Sequence, residues 1–157
     1  MQMTMMINGE KKIINCQPDD MLIDVLRQEG YKSVKCGCDT TNCGLCTVWL
    51  DDVPVLSCSV PAVRCSNRKV TTLEGVQDEV EIIGKLLVEE GADQCGFCSP
   101  GFLMNVIAMK KEFIAEGNLH PTDEEIKHFL SGNLCRCTGY MGQMRAVRNY
   151  MEMEAVR

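Results

Sequence analysis

The chain is short of the features on which catalysis and nucleic-acid binding depend. It contains no nucleophile–base pair, no phosphate-binding loop and no dinucleotide fingerprint, so it is not expected to turn over an organic substrate by itself. Only two histidines are present, and both have ordinary readings: His120 precedes Pro121, and His128 falls within a helical stretch. Basic charge is in deficit. Sixteen Lys and Arg against 22 Asp and Glu leave a net charge of -6, which argues against a nucleic-acid partner, since phosphate binding needs a concentrated excess of basic residues. No apolar run approaches the ~20 residues needed to span a bilayer. The opening residues, Met1 to Met6, lack the basic and apolar regions of a signal peptide, so a cytoplasmic location is expected and no membrane partner. Aromatic residues make up 5%, and the eleven methionines are left to fill cores and subunit contacts. No low-complexity segment interrupts the chain.

What is abundant is cysteine. Eleven occur in 157 residues, and in a reducing compartment they are expected as metal ligands, not disulfides. Eight fall into two quartets. Cys38, Cys43, Cys46 and Cys58 read C-x4-C-x2-C with a more distant fourth thiol, the spacing of plant-type [2Fe–2S] ferredoxins. Cys95 and Cys98 form C-x2-C, and Cys135 and Cys137 form C-x-C. Four thiolates hold a two-iron core with two per iron, and backbone N–H groups of a short loop tune its potential, around -400 mV for plant-type sites. Zinc remains open for the second quartet, because four-cysteine zinc sites also use C-x2-C pairs. Cys16, Cys36 and Cys65 lie outside the quartets and read as small, partly buried hydrophobes. Cys36, two residues before Cys38, is in addition a thiol that could replace a lost ligand.

Periodicity divides the chain near residue 75. In residues 1–75, a strand over 3–7 meets the turn signal Asn8-Gly9 and a second strand around Ile13. Asp19 and Asp20 open an amphipathic helix through Leu22, Val25 and Leu26 that ends at Gly30. Residues 47–50 and 53–56 form a hairpin about Asp51-Asp52, with Trp49 read as a packing residue, and Val70 begins a last strand. Residues 76–157 are helical. Val80, Ile83 and Leu87 mark one helix, and 101–117 a second that is apolar almost all round from 102 to 109. Thr122 to Glu125 is a capping box opening a third, and Met141 to Met151 gives a fourth. Each cysteine pair of the second quartet precedes a helix, whose positive N-terminal end suits an anionic thiolate cluster. Two such thin domains need cross-links, which clusters provide. The expected fold is α+β: a plant-ferredoxin-like (β-grasp) domain followed by a four-helix bundle.

The segments Gln94-Cys95-Gly96-Phe97-Cys98-Ser99-Pro100-Gly101 and Gly132-Asn133-Leu134-Cys135-Arg136-Cys137-Thr138-Gly139-Tyr140 closely resemble the signatures of the molybdenum hydroxylases, the xanthine dehydrogenase family. The resemblance covers the whole chain and is to the small iron–sulfur subunit of the enzymes split over several chains. It implies two [2Fe–2S] clusters here, a molybdopterin cofactor on a large partner subunit and FAD on a separate partner subunit. Electrons would pass from molybdenum to the cluster of Cys95, Cys98, Cys135 and Cys137, then to that of Cys38, Cys43, Cys46 and Cys58, then to FAD. Gln94 and Cys137 match positions that approach the pterin. Within the family, the chain is similar to small subunits of anaerobic nicotinate dehydrogenases, implying a nicotinate-like N-heterocycle as substrate; xanthine, aldehyde, carbon monoxide and acyl-CoA relatives stay open. The family's first loop is glycine-rich, C-G-x-G-x-C-G-x-C. Here it reads Cys38-Asp39-Thr40-Thr41-Asn42-Cys43-Gly44-Leu45-Cys46, which puts its N–H···S bonds in question. A free-standing redox carrier and a structural zinc module are the competing readings.

Overall fold

A computed structural model describes residues 1–153; residues 154–157, the end of the expected C-terminal domain, lie outside the described residues. A five-stranded sheet with the order β2-β1-β5-β3-β4 forms the N-terminal half. Its strands are β1 (Gln2–Ile7), β2 (Glu10–Asn15), β3 (Thr47–Leu50), β4 (Val53–Leu56) and β5 (Lys69–Thr71). β1 runs antiparallel to β2 and parallel to β5, and β3 is antiparallel to both β4 and β5. The two hairpins follow from their turns. Asn8 and Gly9 both adopt positive φ, as do Asp51 and Asp52, and that backbone matches the twist of paired strands. Asp51 and Asp52 tolerate it because their carboxylates are engaged by Arg68 and Lys69.

Strand alternation then decides the core. Met3, Met5 and Ile7 point inward from β1 and meet Ile14, Val48, Leu50 and Val70. The helix α1 (Leu22–Gln28) covers this face with Leu22, Ile23, Val25 and Leu26. Its start differs from the sequence expectation. Asp20 accepts the Gln17 N–H in a preceding turn, and no side chain caps the helix, whose first amide, that of Leu22, donates instead to the Val60 carbonyl. A distant backbone group supplies what a local cap would have supplied.

Four helices make the second half: α2 (Gln77–Glu89), α3 (Ser99–Ala115), α4 (Asp123–Leu130) and α5 (Met141–Glu152). The expected capping box at Thr122 and Glu125 is present in both directions. Arg148 of α5 grips Asp123 at the start of α4 with two N–H donors and holds that carboxyl below its ordinary range. The clasp therefore persists at neutral pH and is lost only as pH falls through that lowered value. The all-round apolar α3 is buried from several sides. One side joins Ile83, Leu87, Ile126 and Val147, while Met104, Ile107 and Ala108 pack on Trp49 of β3. The Trp49 indole N–H donates to the Met104 carbonyl at 3.0 Å, and Lys111 lies 4.4 Å from its ring centroid. Lys110, the one buried cation of α3, satisfies the last carbonyls of α5 by donating to Tyr150 and Met153. Thus α3 is the wall shared by sheet and helices, and Cys98 is its N-cap residue.

Candidate metal centres

The chain between α1 and β3 brings the thiols of Cys38, Cys43 and Cys46 beside the turn that holds Cys58. Cys46 and Cys58 sulfurs stand 3.3 Å apart, and the thiols of Cys38 and Cys43 lie within hydrogen-bonding reach of each other. The second quartet pairs in the same way. Cys95 and Cys137 sulfurs are 3.4 Å apart, and Cys98 contacts Cys135. Among the described residues, no three His, Cys, Asp or Glu side chains converge on a point suited to a single ion. Four pairs of thiols, two per quartet, are the donor set that a two-iron core asks of each site.

Backbone contacts and burial shift several of these thiols in opposite directions. The N–H groups of Asn42 and Thr40, with the thiol and N–H of Cys43, bring the Cys38 thiol down to about 6. The glycine-poor loop thus keeps the donors that its sequence put in question. Thr41 takes on the burden, since it adopts φ +54, a left-handed conformation that a β-branched residue rarely visits. Braces at the apex hold it there: the Thr40 hydroxyl contacts the Asn42 amide oxygen at 3.0 Å, and the Thr41 hydroxyl donates to the Thr40 carbonyl at 2.8 Å. Replacing Thr41 by Gly should therefore stabilise the cluster-loaded protein by about 1 kcal/mol, a rise of about 3 °C in Tm, after allowing for the entropy glycine adds to the unfolded chain. An unchanged or lower Tm would mean that the loop stores no such strain.

At Cys58 and Cys98 burial dominates. It pushes Cys58 up to about 12, helped by the neighbouring Cys46 thiol, and Cys98 up to about 12, helped by Cys135. Burial also acts to raise Cys135. The Thr138 hydroxyl at 3.2 Å and the N–H groups of Thr138 and Cys137 outweigh it, leaving that thiol below its ordinary value. Binding metal to these thiols releases protons and is favoured as pH rises.

Three contributors were not singled out from sequence. Tyr140 adopts positive φ ahead of α5, and its hydroxyl accepts the Cys135 N–H at 2.9 Å. Thr138 bonds the Cys135 sulfur, and buried Asn133 anchors the loop from behind. All three sit inside the signature segment, where local spacing signals only the cysteines. Gln94 is exposed beside exposed Cys95. Of the three remaining cysteines, Cys16 and Cys65 are buried as expected. Cys36 departs from that reading: it is exposed, because the loop turns outward before Cys38, and its thiol reaches only the Cys38 carbonyl at 3.7 Å. One cavity of about 460 Å³ is lined by Cys38 and Cys43 of the first quartet and by all four thiols of the second.

Comparison with known proteins agrees with this arrangement. Residues 5–66 match the 2Fe-2S iron-sulfur cluster binding domain family, and residues 72–148 match the [2Fe-2S] binding domain family. The chain is 40% identical over 149 residues to the nicotinate dehydrogenase small FeS subunit of Eubacterium barkeri, covering 93% of this chain and 92% of that one. It is 39% identical over 137 residues to the xanthine dehydrogenase iron-sulfur-binding subunit of Escherichia coli O157:H7, covering 85% of this chain and 84% of that one. The crystal structure of quinoline 2-oxidoreductase from Pseudomonas putida 86 contains a chain of the same fold, with a TM-score of 0.86 at 32% identity, covering 97% of this chain and 93% of that one. With two successive 2Fe–2S domains and similarity along almost its whole length, the chain belongs to the small iron–sulfur subunits of the xanthine dehydrogenase family of molybdenum hydroxylases.

Proposed function

We propose that the chain relays electrons from a molybdopterin centre on a large partner subunit to FAD on a second partner subunit. In this reading Cys95, Cys98, Cys135 and Cys137 hold the entry cluster, and Cys38, Cys43, Cys46 and Cys58 hold the exit cluster. The two sites belong to domains that meet near residue 75. Each [2Fe–2S] centre supplies reversible storage of one electron, while the chain sets its potential, burial and position.

The observation that carries the reading is the shared cavity between quartets of unequal exposure. Cys43 and Cys46 are buried, whereas Cys95 and Cys137 are exposed. Gln94 and Cys137 are assigned to the pterin side on that exposure and on their place in the signature. The surrounding Phe97, Leu134, Tyr140 and Met141 are all more than 40% exposed. Such an apolar rim suits coverage by a permanent partner and counts against a free-standing carrier. Paired thiols favour a two-iron core over a zinc module. An N-heterocycle such as nicotinate is proposed as the substrate of the assembly, because relatives named for nicotinate and quinoline stand among the similar proteins. No helix among the described residues is long and apolar enough to cross a membrane, and a cytoplasmic location is proposed with the rest.

Low-temperature EPR of the dithionite-reduced protein, with spins integrated per chain, tests this directly. Two distinct [2Fe–2S] signals of about one spin each are expected. A colourless, EPR-silent protein with stoichiometric zinc would replace the relay by the structural reading.

A further inference from the structure

We propose that a pocket at the start of α5 is the anchor site for one tyrosine or tryptophan of the large partner subunit, whose O–H or N–H donates to the side-chain carbonyl of Gln143. The assignment rests on the partner reading above and names a contact within it. Along α5 the inward stripe runs Gln143, Ala146, Val147, Tyr150 and Met151, at helical spacing. All but the first pack into the helical core. Gln143 takes the core-facing position of the first turn and is only 4% exposed, yet its Oε1 has no hydrogen-bond partner among the described residues. An orphaned buried acceptor costs stability that an aliphatic side chain at the same position would not. The fold gains nothing from glutamine there, so the donor that satisfies it comes from outside the chain.

Gln143 lines a pocket of about 270 Å³ among α3, α4 and α5. Buried Phe102, Leu130 and Asn133 form its floor with Gln143, and exposed Leu134, Tyr140 and Met141 form its rim. Asn133 already accepts from Asn105 at 2.6 Å and donates to the Gly44 carbonyl at 3.4 Å, which leaves Gln143 as the open acceptor. Its terminal amide torsion is soft, and rotation about it turns the oxygen toward the pocket. The walls choose the occupant. Phe102 and the thioethers of Met141 and Met144 favour an aromatic ring. One acceptor matches the single donor of a phenol or an indole and would leave the several donors of an arginine unpaired. Lys127, also on the pocket wall, repels a cation. The volume lies below the roughly 300 Å³ at which small-molecule sites begin, so one large side chain fits better than a free metabolite. Leu134 and Tyr140 line the cavity of the second quartet as well, so a subunit laid over exposed Cys137 extends onto this pocket. Tyrosine and tryptophan are also the residues that most often anchor such interfaces.

The test uses the cluster-loaded chain in complex with the large subunit that copurifies with it. A diazirine-bearing side chain replaces exposed Ser131, which lines the pocket, and peptide mapping after illumination identifies what it has joined. The expected product is a large-subunit segment containing tyrosine or tryptophan. A second copy of this chain, a segment with neither residue, or capture by water alone would overturn the proposal. Gln143→Leu then removes the acceptor while keeping most of the volume. Exchange of the bound chain against isotopically labelled chain, followed by native mass spectrometry, is expected to become roughly tenfold faster, because the partner's donor is left unpaired. The Tm of the free chain should not fall, since the substitution removes an orphaned amide. An unchanged exchange rate, or a lower Tm of the free chain, would overturn the proposal. A stable wild-type complex without the expected cross-link removes the pocket and leaves the relay standing. A chain that carries two clusters yet copurifies with no large subunit removes the partner reading and the pocket together.

Discussion

Cys43→Ser is expected to abolish one of the two [2Fe–2S] signals and about half the iron while leaving the other signal unchanged. Serine conserves the volume of this buried side chain and leaves the Cys43 carbonyl free to accept from Leu134, so the loop should keep its course. Cys43 is a sharper choice than Cys38, which has the exposed spare thiol of Cys36 two residues away. In the assembled enzyme, under the proposed relay, the consequence should be selective. Substrate would still reduce molybdenum, and the entry centre would still accept an electron, but transfer to FAD would stop. Rapid-mixing spectra would show the entry centre reduced and the flavin oxidised. Full turnover with the native acceptor in this variant would reject the order of the relay.

Trp49→Ala should be the most destabilising substitution outside the thiols. The ring is buried among Val76, Met104, Ile107 and Ala108, and it is where β3 meets α3. Truncating a buried tryptophan costs about 3–5 kcal/mol, because the cavity adds to the lost transfer energy. Against a total stability of about 5–15 kcal/mol, that is a large share. A fall in Tm of about 10 °C is expected for a chain of this length. Proteolysis should also become faster near Leu73–Gly75, the turn that joins the two halves. Trp49→Phe separates the contributions. It keeps most of the volume and removes only the N–H donated to Met104, at a cost of about 1 kcal/mol. Equal losses in the two variants would mean that the hydrogen bond, not the packing, joins the halves.

Other elements show how far local information reaches. The hairpin turns and the box at Thr122 and Glu125 were legible because a few adjacent residues satisfy their own backbone. The start of α1 was not, because its first amide is satisfied by Val60, far along the chain. The short 3-10 turns at Ser57–Ser59 and Ala62–Cys65 carried no sequence signal, yet the first of them holds Cys58. Thr41 reverses an expectation of another kind. Loss of glycine put the loop's N–H···S bonds in question, whereas hydrogen bonds at the apex hold Thr41 at positive φ, a conformation that glycine adopts without cost.

The sequence by itself determined the two cysteine quartets, the strand-then-helix order and the net negative charge, since each depends only on spacing or composition. The tertiary structure alone decided which thiols pair, that both quartets share one cavity, and that Cys43 and Leu134 are joined by a hydrogen bond. Those relations depend on α3 lying against the sheet and on Gly44 and Gly101 letting backbones meet, contacts between residues far apart in the chain that no local pattern encodes.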